Sequence, residues 1–368
     1  MDPQQSTAPC PNPQSHGPET SPAPPTLRTS FPPFSNNLWT ASHILTDGCP
    51  RHSIDLTEHL LLKHMMRAYP RATVEQRCNQ LLRTTSFGSK VPFDIYVQHP
   101  DLDPWVSTMI LRKGQWGKLK CDKVQEMVRK LDTGAKGKPI YVMDVGAHIG
   151  FLSFWAASSS PRVRVMAVEA HQDHFELLEK TLKMERNERL ARRITLHPLA
   201  LSDTKEIGKH SCLKTTPNNS ASTFLDPSLP PHSPNCTATP TTTLDTLLLL
   251  SSHPISILLL DVEGLEPLIL SGASSLLSHH RPKLILLTYR HKALSESIAR
   301  LTRSSVFRET KDPVDFVVQL VEMGYSYVED LHTRVGMKSV EEVKGYFGGL
   351  FWEKMKSGQT DLAFCLPF

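Results

Sequence analysis

Five short apolar segments, separated by stretches of helical periodicity, constrain the fold of this chain more than any other feature. They span residues 140–145, 163–169, 194–199, 255–261 and 284–289. None of them alternates apolar and polar residues, and continuous apolar runs of this length are typical of strands covered on both faces. Helical patterns lie between them at 150–158, 171–187 and 266–278, with another after residue 312. This order predicts an α/β fold around a largely parallel sheet.

The remaining segments divide the chain further. Residues 1–36 hold ten of the 29 prolines among Ser, Thr and Gln, a composition that predicts a disordered tail. Residues 37–132 predict a small extension. It has a helical pattern at 53–82, a short hairpin or pair of edge strands formed by FDIYVQHP and WVSTMILRKGQW, and a helix at 123–131 that leads into the main domain. We expect Trp105 and Trp116 to pack this hairpin.

The main domain is predicted to cover residues 133–368. Two late apolar segments, 325–329 and 361–366, could supply a sixth and a seventh strand. The polar stretch at about 204–242 is rich in Pro, Ser and Thr, and it predicts a loop or insertion rather than another layer of the fold.

Charge, apolar runs and cysteines limit the partners and the location. The formal net charge is +4, without a basic block that contains aromatic residues, so we expect no nucleic-acid partner. No apolar run is long enough to span a bilayer, and the first residues do not form a secretory signal. The seven scattered cysteines predict reduced thiols and a cytoplasmic location. Nothing in the sequence indicates the oligomeric state.

No metal site is predicted. His171 and His174 have the spacing H-x-x-H, but a metal site needs further donors, and none is evident nearby. We expect these two histidines to lie on a solvated helix face.

The most informative motif is DVGAHIG, residues 144–150, at the end of the first predicted strand. Gly146 and Gly150 permit positive φ and close approach of the backbone to a ligand. Glu169 follows the next strand, 23 residues after Gly146, where a carboxylate suits the hydroxyls of a ribose. Together these residues predict a nucleoside-binding crevice at the carboxyl ends of the strands. A turn that needs its glycines only for packing is the alternative.

Two details of the motif favour S-adenosylmethionine over NAD. The spacing is G-x-x-x-G with His148 between the glycines, so the middle glycine of the dinucleotide pattern G-x-G-x-x-G is missing. Asp144 would repel a pyrophosphate but attracts a ligand that carries an ammonium and a sulfonium. An NAD-dependent oxidoreductase remains the alternative function.

The order of motifs resembles the FkbM family of S-adenosylmethionine-dependent methyltransferases from about residue 93 to the end of the chain. The motifs are DVGAHIG at Asp144, VEAHQDHFELLEK at Val168, HPLALSD at His197, TTLDTLL at Thr242 and LLLDVEGLEPLILSGA at Leu258. The resemblance implies a Rossmann-like class I methyltransferase fold, whose seven-stranded, mostly parallel sheet has its last strand antiparallel.

The resemblance also implies roles for single residues. Cofactor binding is expected of Asp144, Gly146, His148 and Gly150 at the methionine end, of Glu169 at the ribose, of Ala200 with Ser202 or Asp203 at the adenine, and of Asp261 at the reacting centre. His148 stands where members of the family usually have asparagine, and Thr288 lies near a strand end that often carries glutamate. These departures leave open a catalytically inactive domain that binds the cofactor or a protein partner.

The segment D-V-E-G-x-E concentrates three carboxylates behind the fourth strand. On an extended strand end, Asp261 and Glu263 point to the same side. Our hypothesis is that one of them orients an acceptor hydroxyl or accepts its proton. The alternative is that Glu263 and Glu266 stabilise a helix N-terminus. The resemblance further implies a small-molecule or glycan acceptor, with O-methylation of a hydroxyl on a carbohydrate or secondary metabolite.

Overall fold

A computed structural model describes ten stretches of the chain. They are residues 42–44, 82–134, 137–203, 207–216, 219–226, 229–231, 233, 236–249, 253–301 and 305–367, all within the unit that spans residues 34–368. The predicted disordered tail, 1–36, lies outside the described residues. So does the helical pattern predicted at 53–82, except for its last residue, Leu82, which begins a strand.

The strands and helices are numbered in chain order. The strands are β1 (Ser42–Ile44), β2 (Leu82–Thr85), β3 (Asp94–Val97), β4 (Ile140–Val145), β5 (Val163–Val168), β6 (Ile194–His197), β7 (Ala200–Leu201), β8 (His210–Thr216), β9 (Asn219–Asp226), β10 (Thr237–Thr242), β11 (Ile255–Leu260), β12 (Leu284–Arg290), β13 (Tyr327–Asp330), β14 (Val335–Met337) and β15 (Gln359–Cys365). The helices are α1 (Val106–Lys113), α2 (Lys118–Gly134), α3 (Phe151–Ser159), α4 (Gln172–Leu182), α5 (Glu188–Ala191), α6 (Leu244–Leu249), α7 (Glu266–Ser271), α8 (His291–Ile298), α9 (Pro313–Glu322), α10 (Val340–Gly348) and α11 (Leu350–Lys354).

The main sheet has the order β14-β13-β15-β12-β11-β4-β5-β6. Its five central strands, from β12 to β6, are parallel, and β15 runs antiparallel to both of its neighbours. The predicted α/β fold with a mostly parallel sheet and an antiparallel last strand is therefore confirmed. The sheet has one strand more than predicted, because the chain folds back after β13 and β14 pairs with it as an edge hairpin.

Burial of both faces explains why the central strands lack polar alternation. Along β11, Leu258 and Leu260 belong to one apolar cluster, whereas Ile257 and Leu259 belong to the other. All four side chains are at most 2% exposed. Because successive side chains of a strand point to opposite faces, a strand between two helical layers needs apolar residues at every position.

The extension before the main sheet is partly as predicted. FDIYVQHP contains β3, which pairs antiparallel with β2, and the helix predicted at 123–131 is the longer α2. The strand predicted within WVSTMILRKGQW is wrong, since this segment forms α1. The Asp103 carboxylate caps this helix by accepting the backbone N–H groups of Val106 at 2.9 Å and Ser107 at 2.7 Å.

The prediction that 204–242 adds no layer is wrong. Strands β8, β9 and β10 join the short β7 in a four-stranded sheet with the order β7-β10-β8-β9. Threonine is the commonest residue of these strands, and its polarity concealed the β-propensity that comes from its branching at Cβ. On the covered side, Leu213 and Leu225 are opposite each other in the β8–β9 register, and both are buried.

A disulfide joins Cys212 on β8 to Cys236, which precedes β10. The interpretation of all cysteines as reduced thiols is therefore wrong for this pair, because it did not foresee that the polar stretch folds into adjacent strands. Cys121 and Cys365 are free. None of the helices in the described ranges is both long and apolar enough to cross a membrane.

Candidate active site

A cavity of about 520 Å³ lies at the carboxyl ends of β4, β5, β11 and β12. Its wall is formed by the glycine loop between β4 and α3, the segments after β5, β6 and β11, the β8–β9 hairpin, and the first turn of α2. This is the edge at which open parallel sheets bind ligands.

The glycine loop needs both of its glycines, because each has a positive φ and no room for a Cβ. Gly146 has φ 80°, and a Cβ there would lie 2.1 Å from the carbonyl oxygen of Asp261. Gly150 has φ 88°, and its Cβ would lie 2.8 Å from Leu178 of α4. Gly146 lines the cavity, whereas Gly150 does not. Close packing therefore requires a glycine at both positions, and the role of Gly150 in cofactor binding stays a prediction.

His148 adopts the left-handed conformation inside this loop, with φ 53°. Its backbone N–H donates to Glu169 Oε2 at 2.7 Å, and its side chain is part of the cavity wall. The ring packs edge-on against that of His174, with 4.1 Å between centroids. Burial lowers the pKa of His148 to about 4. The ring is therefore neutral at physiological pH.

Glu169 holds the loop from the neighbouring strand. Besides the N–H of His148, its carboxylate accepts the N–H of His171 at 2.8 Å through Oε1. The side chain is 9% exposed and reaches the cavity. Each carboxylate oxygen has two lone pairs, so one acceptor position on each oxygen remains for a ligand hydroxyl.

The prediction of a solvated face for His171 and His174 is wrong. They are 8% and 1% exposed, because the start of α4 packs beneath the glycine loop. His174 lines the cavity, and its Nδ1 lies 3.6 Å from Glu169 Oε1. Within the described ranges, no group of three or more His, Cys, Asp or Glu side chains is arranged to hold a metal ion.

Asp144 lies at the floor of the cavity, at the end of β4. It is 4% exposed, and Ser153 donates to its Oδ2 at 2.5 Å. Burial raises the pKa of this carboxyl to about 6. A cationic group nearby would restore the charged form, so the site favours a positively charged ligand over an anionic one.

Asp261 lies between two cations. Lys120 Nζ is 2.7 Å from its Oδ2, and Arg290 Nη1 is 3.1 Å from its Oδ1. Burial alone would raise the pKa of Asp261, but the attraction of the two cations outweighs it and holds the pKa well below its usual range. Asp261 is therefore a permanent carboxylate in the cavity wall.

Glu263 differs from Asp261 in its electrostatics. Its backbone has φ 57°, and its Oε1 accepts a hydrogen bond from Arg290 Nη2 at 2.9 Å. Burial raises its pKa to about 7, against the opposing attraction of Arg290. Glu266 is fully buried in the first turn of α7, where its Oε1 accepts the N–H of Val262 at 3.2 Å. The helix-terminus interpretation thus fits Glu266 but not Glu263.

Lys120, which sequence reasoning missed, connects Asp261 to the rest of the sheet edge. Besides Asp261, its Nζ contacts Thr288 Oγ1 at 2.6 Å and Asp361 Oδ1 at 3.1 Å. His332 Nε2 lies 3.0 Å from the other oxygen of Asp361. Thr288, which lies near the strand end where family members often carry glutamate, thus has an ammonium group beside it. Only the placement of α2 over the strand ends brings Lys120 there, so no local pattern signals it.

The two ends of the cavity differ in character. Beyond Glu169 the wall is mainly apolar and includes Ala200. Ser202 and Asp203 are 4% exposed but do not line the cavity, so their predicted contact with adenine stays a prediction. On the side of α2 the wall includes Trp116, and Trp105 from the preceding segment also lines the cavity. Trp105 is 66% exposed, so the prediction that it packs the hairpin is wrong for this residue.

Three solved methyltransferases were compared with the chain. Methyltransferase FkbM from Methylobacillus flagellatus is 16% identical over 61% of this chain and 43% of its own, with a TM-score of 0.36. An O-methyltransferase from Bacillus cereus in complex with SAH is 13% identical over 68% and 82%, with a TM-score of 0.31. A SAM-dependent methyltransferase from Agrobacterium tumefaciens is 13% identical over 58% and 56%, with a TM-score of 0.33. The chain thus spans less than half of the Methylobacillus protein.

Comparison with curated proteins gave no match. The family model of the methyltransferase FkbM domain, in contrast, matches residues 144–327, which is half of the chain. This span begins at Asp144 on the floor of the cavity and includes the glycine loop, Glu169 and the D-V-E-G-x-E segment. The chain therefore belongs to the FkbM family of S-adenosylmethionine-dependent methyltransferases.

Proposed function

We propose that this enzyme transfers the methyl group of S-adenosylmethionine to a hydroxyl oxygen of a carbohydrate or a secondary metabolite. The observation that carries the proposal is a pair of carboxyl groups at one end of the cavity whose pKa values are shifted in opposite directions. Asp261 has a depressed pKa, whereas the pKa of Glu263 is raised to about 7. Two neighbouring groups whose pKa values diverge in this way suit different roles in one reaction.

The residues around the cavity fit the cofactor. Gly146 presents its backbone to the cavity, and Glu169 retains acceptor positions for the ribose hydroxyls. Buried Asp144 suits the positive charge of the methionine portion. When bound, S-adenosylmethionine supplies an electrophilic methyl group on a sulfonium. We propose that these three residues, with His148, hold it.

Glu263 is the proposed general base. A base is most effective when its pKa lies near the working pH, and the raised pKa of Glu263 meets this condition. Asp261 is a weaker base, because Lys120 and Arg290 stabilise its ionised form. We assign Asp261 to accepting a hydrogen bond from the acceptor, which fixes the direction of the attacking oxygen.

The proposed reaction is an in-line displacement that the side chains align. The acceptor O–H bond breaks and its proton passes to the Glu263 carboxylate. The oxygen forms a bond to the methyl carbon while the carbon–sulfur bond breaks, and its electron pair stays on sulfur. The products are a methyl ether and the neutral thioether S-adenosylhomocysteine. Protonated Glu263 then returns its proton to solvent, to which it is 22% exposed.

The acceptor class rests on the aromatic and charged residues of the cavity wall. Trp105 presents an exposed indole, and Trp116, Glu263 and Arg290 line the same cavity. An indole face packs against the apolar side of a ring, while charged groups bind hydroxyls through charge-assisted hydrogen bonds. This combination suits a polyhydroxylated or glycosylated ring.

A methyl-transfer assay tests the proposal. The purified chain is incubated with S-adenosylmethionine labelled in its methyl group and a panel of glycosides and hydroxylated secondary metabolites, and products are analysed for labelled methyl ethers. We expect Glu263→Gln to lower kcat by about 10²–10⁴-fold with unchanged affinity for S-adenosylhomocysteine. Glu309→Gln, at a side chain 81% exposed, is the control. Label found only on nitrogen, or undiminished turnover by Glu263→Gln, would contradict the proposal.

Family membership excludes the NAD-dependent oxidoreductase alternative. The cytoplasmic location stays a prediction. The Cys212–Cys236 disulfide argues against it, because disulfides persist mainly in oxidising compartments.

A further inference from the structure

Asn219 brings a polar group into the cavity wall that has no hydrogen-bond partner among the described residues. Asn219, the first residue of β9, lines the cavity, and its Oδ1 is closed to solvent without a hydrogen bond to any described residue. A buried carbonyl oxygen left in this state costs free energy comparable to a lost hydrogen bond. A bound ligand that donates a hydrogen bond at this point would remove the cost.

The β8–β9 hairpin presents a single face to the cavity. Asn219, Thr223 and Leu225 on β9 all line it, as does Leu213 on β8. Thr223 and Leu225 share one face of β9, and Asn219 follows a register irregularity between Thr215 and Thr216 of β8. The hairpin therefore contributes a wall that is apolar at Leu213 and Leu225 and polar at Asn219.

Strand order indicates which part of the cofactor meets this wall. Glu169 ends β5, and the next strand in the sheet is β6, whose continuation supplies Leu199, Ala200 and Leu201 to the cavity. A nucleoside whose ribose binds Glu169 directs its base toward this neighbouring wall. These aliphatic side chains suit the faces of a purine ring. They offer no side-chain hydrogen bond to its edge.

We propose that Asn219 recognises the adenine base of S-adenosylmethionine by accepting a hydrogen bond from its 6-amino group. The inference rests on the proposed function, because it presumes that this cofactor binds with its ribose at Glu169. A carboxamide presents an acceptor beside a donor, and adenine presents the 6-amino donor beside a ring-nitrogen acceptor, so the two groups pair in a bidentate manner. The segment 204–242 thereby supplies part of the cofactor site, in a position where Ser202 and Asp203 do not reach the cavity.

Binding of two ligands to two variants tests this assignment without measuring turnover. The ligands are S-adenosylhomocysteine and its analogue in which purine, without the 6-amino group, replaces adenine. Dissociation constants are measured by calorimetry for the full chain and for Asn219→Ala. Thr215→Ala is the control, because Thr215 is an exposed residue of the same hairpin that does not line the cavity.

We expect the unmodified chain and Thr215→Ala to bind the purine analogue about tenfold more weakly than S-adenosylhomocysteine, the value of one neutral hydrogen bond. Asn219→Ala is expected to bind both ligands with equal, weakened affinity. The inference is overturned if Asn219→Ala still binds the purine analogue more weakly than S-adenosylhomocysteine. A variant that weakens the binding of both ligands by one common factor would give this result. Failure of the unmodified chain to bind S-adenosylhomocysteine would overturn the proposed function, and this inference with it.

Discussion

Replacing Lys120 by methionine tests the ionic network at the centre of the site. The substitution keeps an unbranched side chain that fills the same space but removes the ammonium. Lys120 is 12% exposed, and its Nζ lies 2.7 Å from Asp261 and 3.1 Å from Asp361. Without it, the Asp361 carboxylate, 14% exposed, and the Asp261 carboxylate, 35% exposed, lose the cation between them.

The expected loss in the free energy of unfolding depends on the cationic partners that the two carboxylates keep after the substitution. Removing one partner of a buried ion pair costs about 3–5 kcal/mol. Arg290 still lies 3.1 Å from Asp261, and His332 still lies 3.0 Å from Asp361. These residual partners place the expected loss at the lower end, about 3 kcal/mol in the free energy of unfolding at neutral pH.

The loss should also depend on pH in a defined direction. Lys120 lowers the pKa of both Asp261 and Asp361 in the folded chain. A lowered folded-state pKa contributes stability that is present above the unfolded value, near 4, and lost as the pH falls through the folded value. The difference between the unmodified chain and Lys120→Met should therefore shrink in acid, because protonated carboxyls no longer need the ammonium.

Urea denaturation provides the measurement, with the free energy of unfolding obtained by linear extrapolation. Lys118→Met is the matched control. Lys118 belongs to the same helix and pairs with Asp122 at 2.6 Å, but it is 65% exposed. Its loss should cost less than about 0.5 kcal/mol. If Lys120→Met costs no more than Lys118→Met, the network does not stabilise the fold and the reasoning is refuted.

Two further predictions concern the glycine loop. Gly146→Ala would place a Cβ 2.1 Å from the Asp261 carbonyl at φ 80°, so we expect a stability loss of about 1–3 kcal/mol and weakened binding of S-adenosylhomocysteine, both read by thermal denaturation with and without the ligand. Gly134→Ala, with no atom within 4 Å of its Cβ, should change neither. Since the pKa of His148 is lowered to about 4 from 6.5, its folded state binds fewer protons, and stability falls as the pH drops through this interval. In His148→Asn, up to about 3 kcal/mol of this loss in the free energy of unfolding should be absent. If the free energy of unfolding falls equally with pH in both chains, His148 does not titrate in this way.

The sequence sufficed for those parts of the fold and site that depend on local patterns. Each buried strand can be recognised in the sequence as a continuous apolar run, because both of its faces are covered. Asp144, Glu169 and Asp261 then follow as residues at the ends of such strands, since parallel strands present their carboxyl ends at one edge. All three line the cavity.

Contacts between distant segments left no such signal. Lys120 precedes Asp261 by 141 residues, and nothing in its own helix distinguishes it from other lysines. His171 and His174 look like polar residues of an amphipathic helix, yet they are buried because the glycine loop packs on that turn. Sequence periodicity reports which face of a helix is apolar. It does not report which polar residue meets another segment.

The segment 204–242 shows how a polar composition can conceal an ordered wall. Its strands are short. One face of these strands lies at the surface, where threonine is stable, and the other face lines a cavity that a ligand would fill. The wall of a ligand-binding cavity does not need continuous apolar residues, so its strands lack the apolar run that identifies a core strand. Leu213 and Leu225 supply the apolar part of this wall, and Asn219 leaves an oxygen without a partner. Such an oxygen is a sign of binding rather than of poor folding, because a group that only the ligand satisfies makes the affinity depend on that ligand's chemistry.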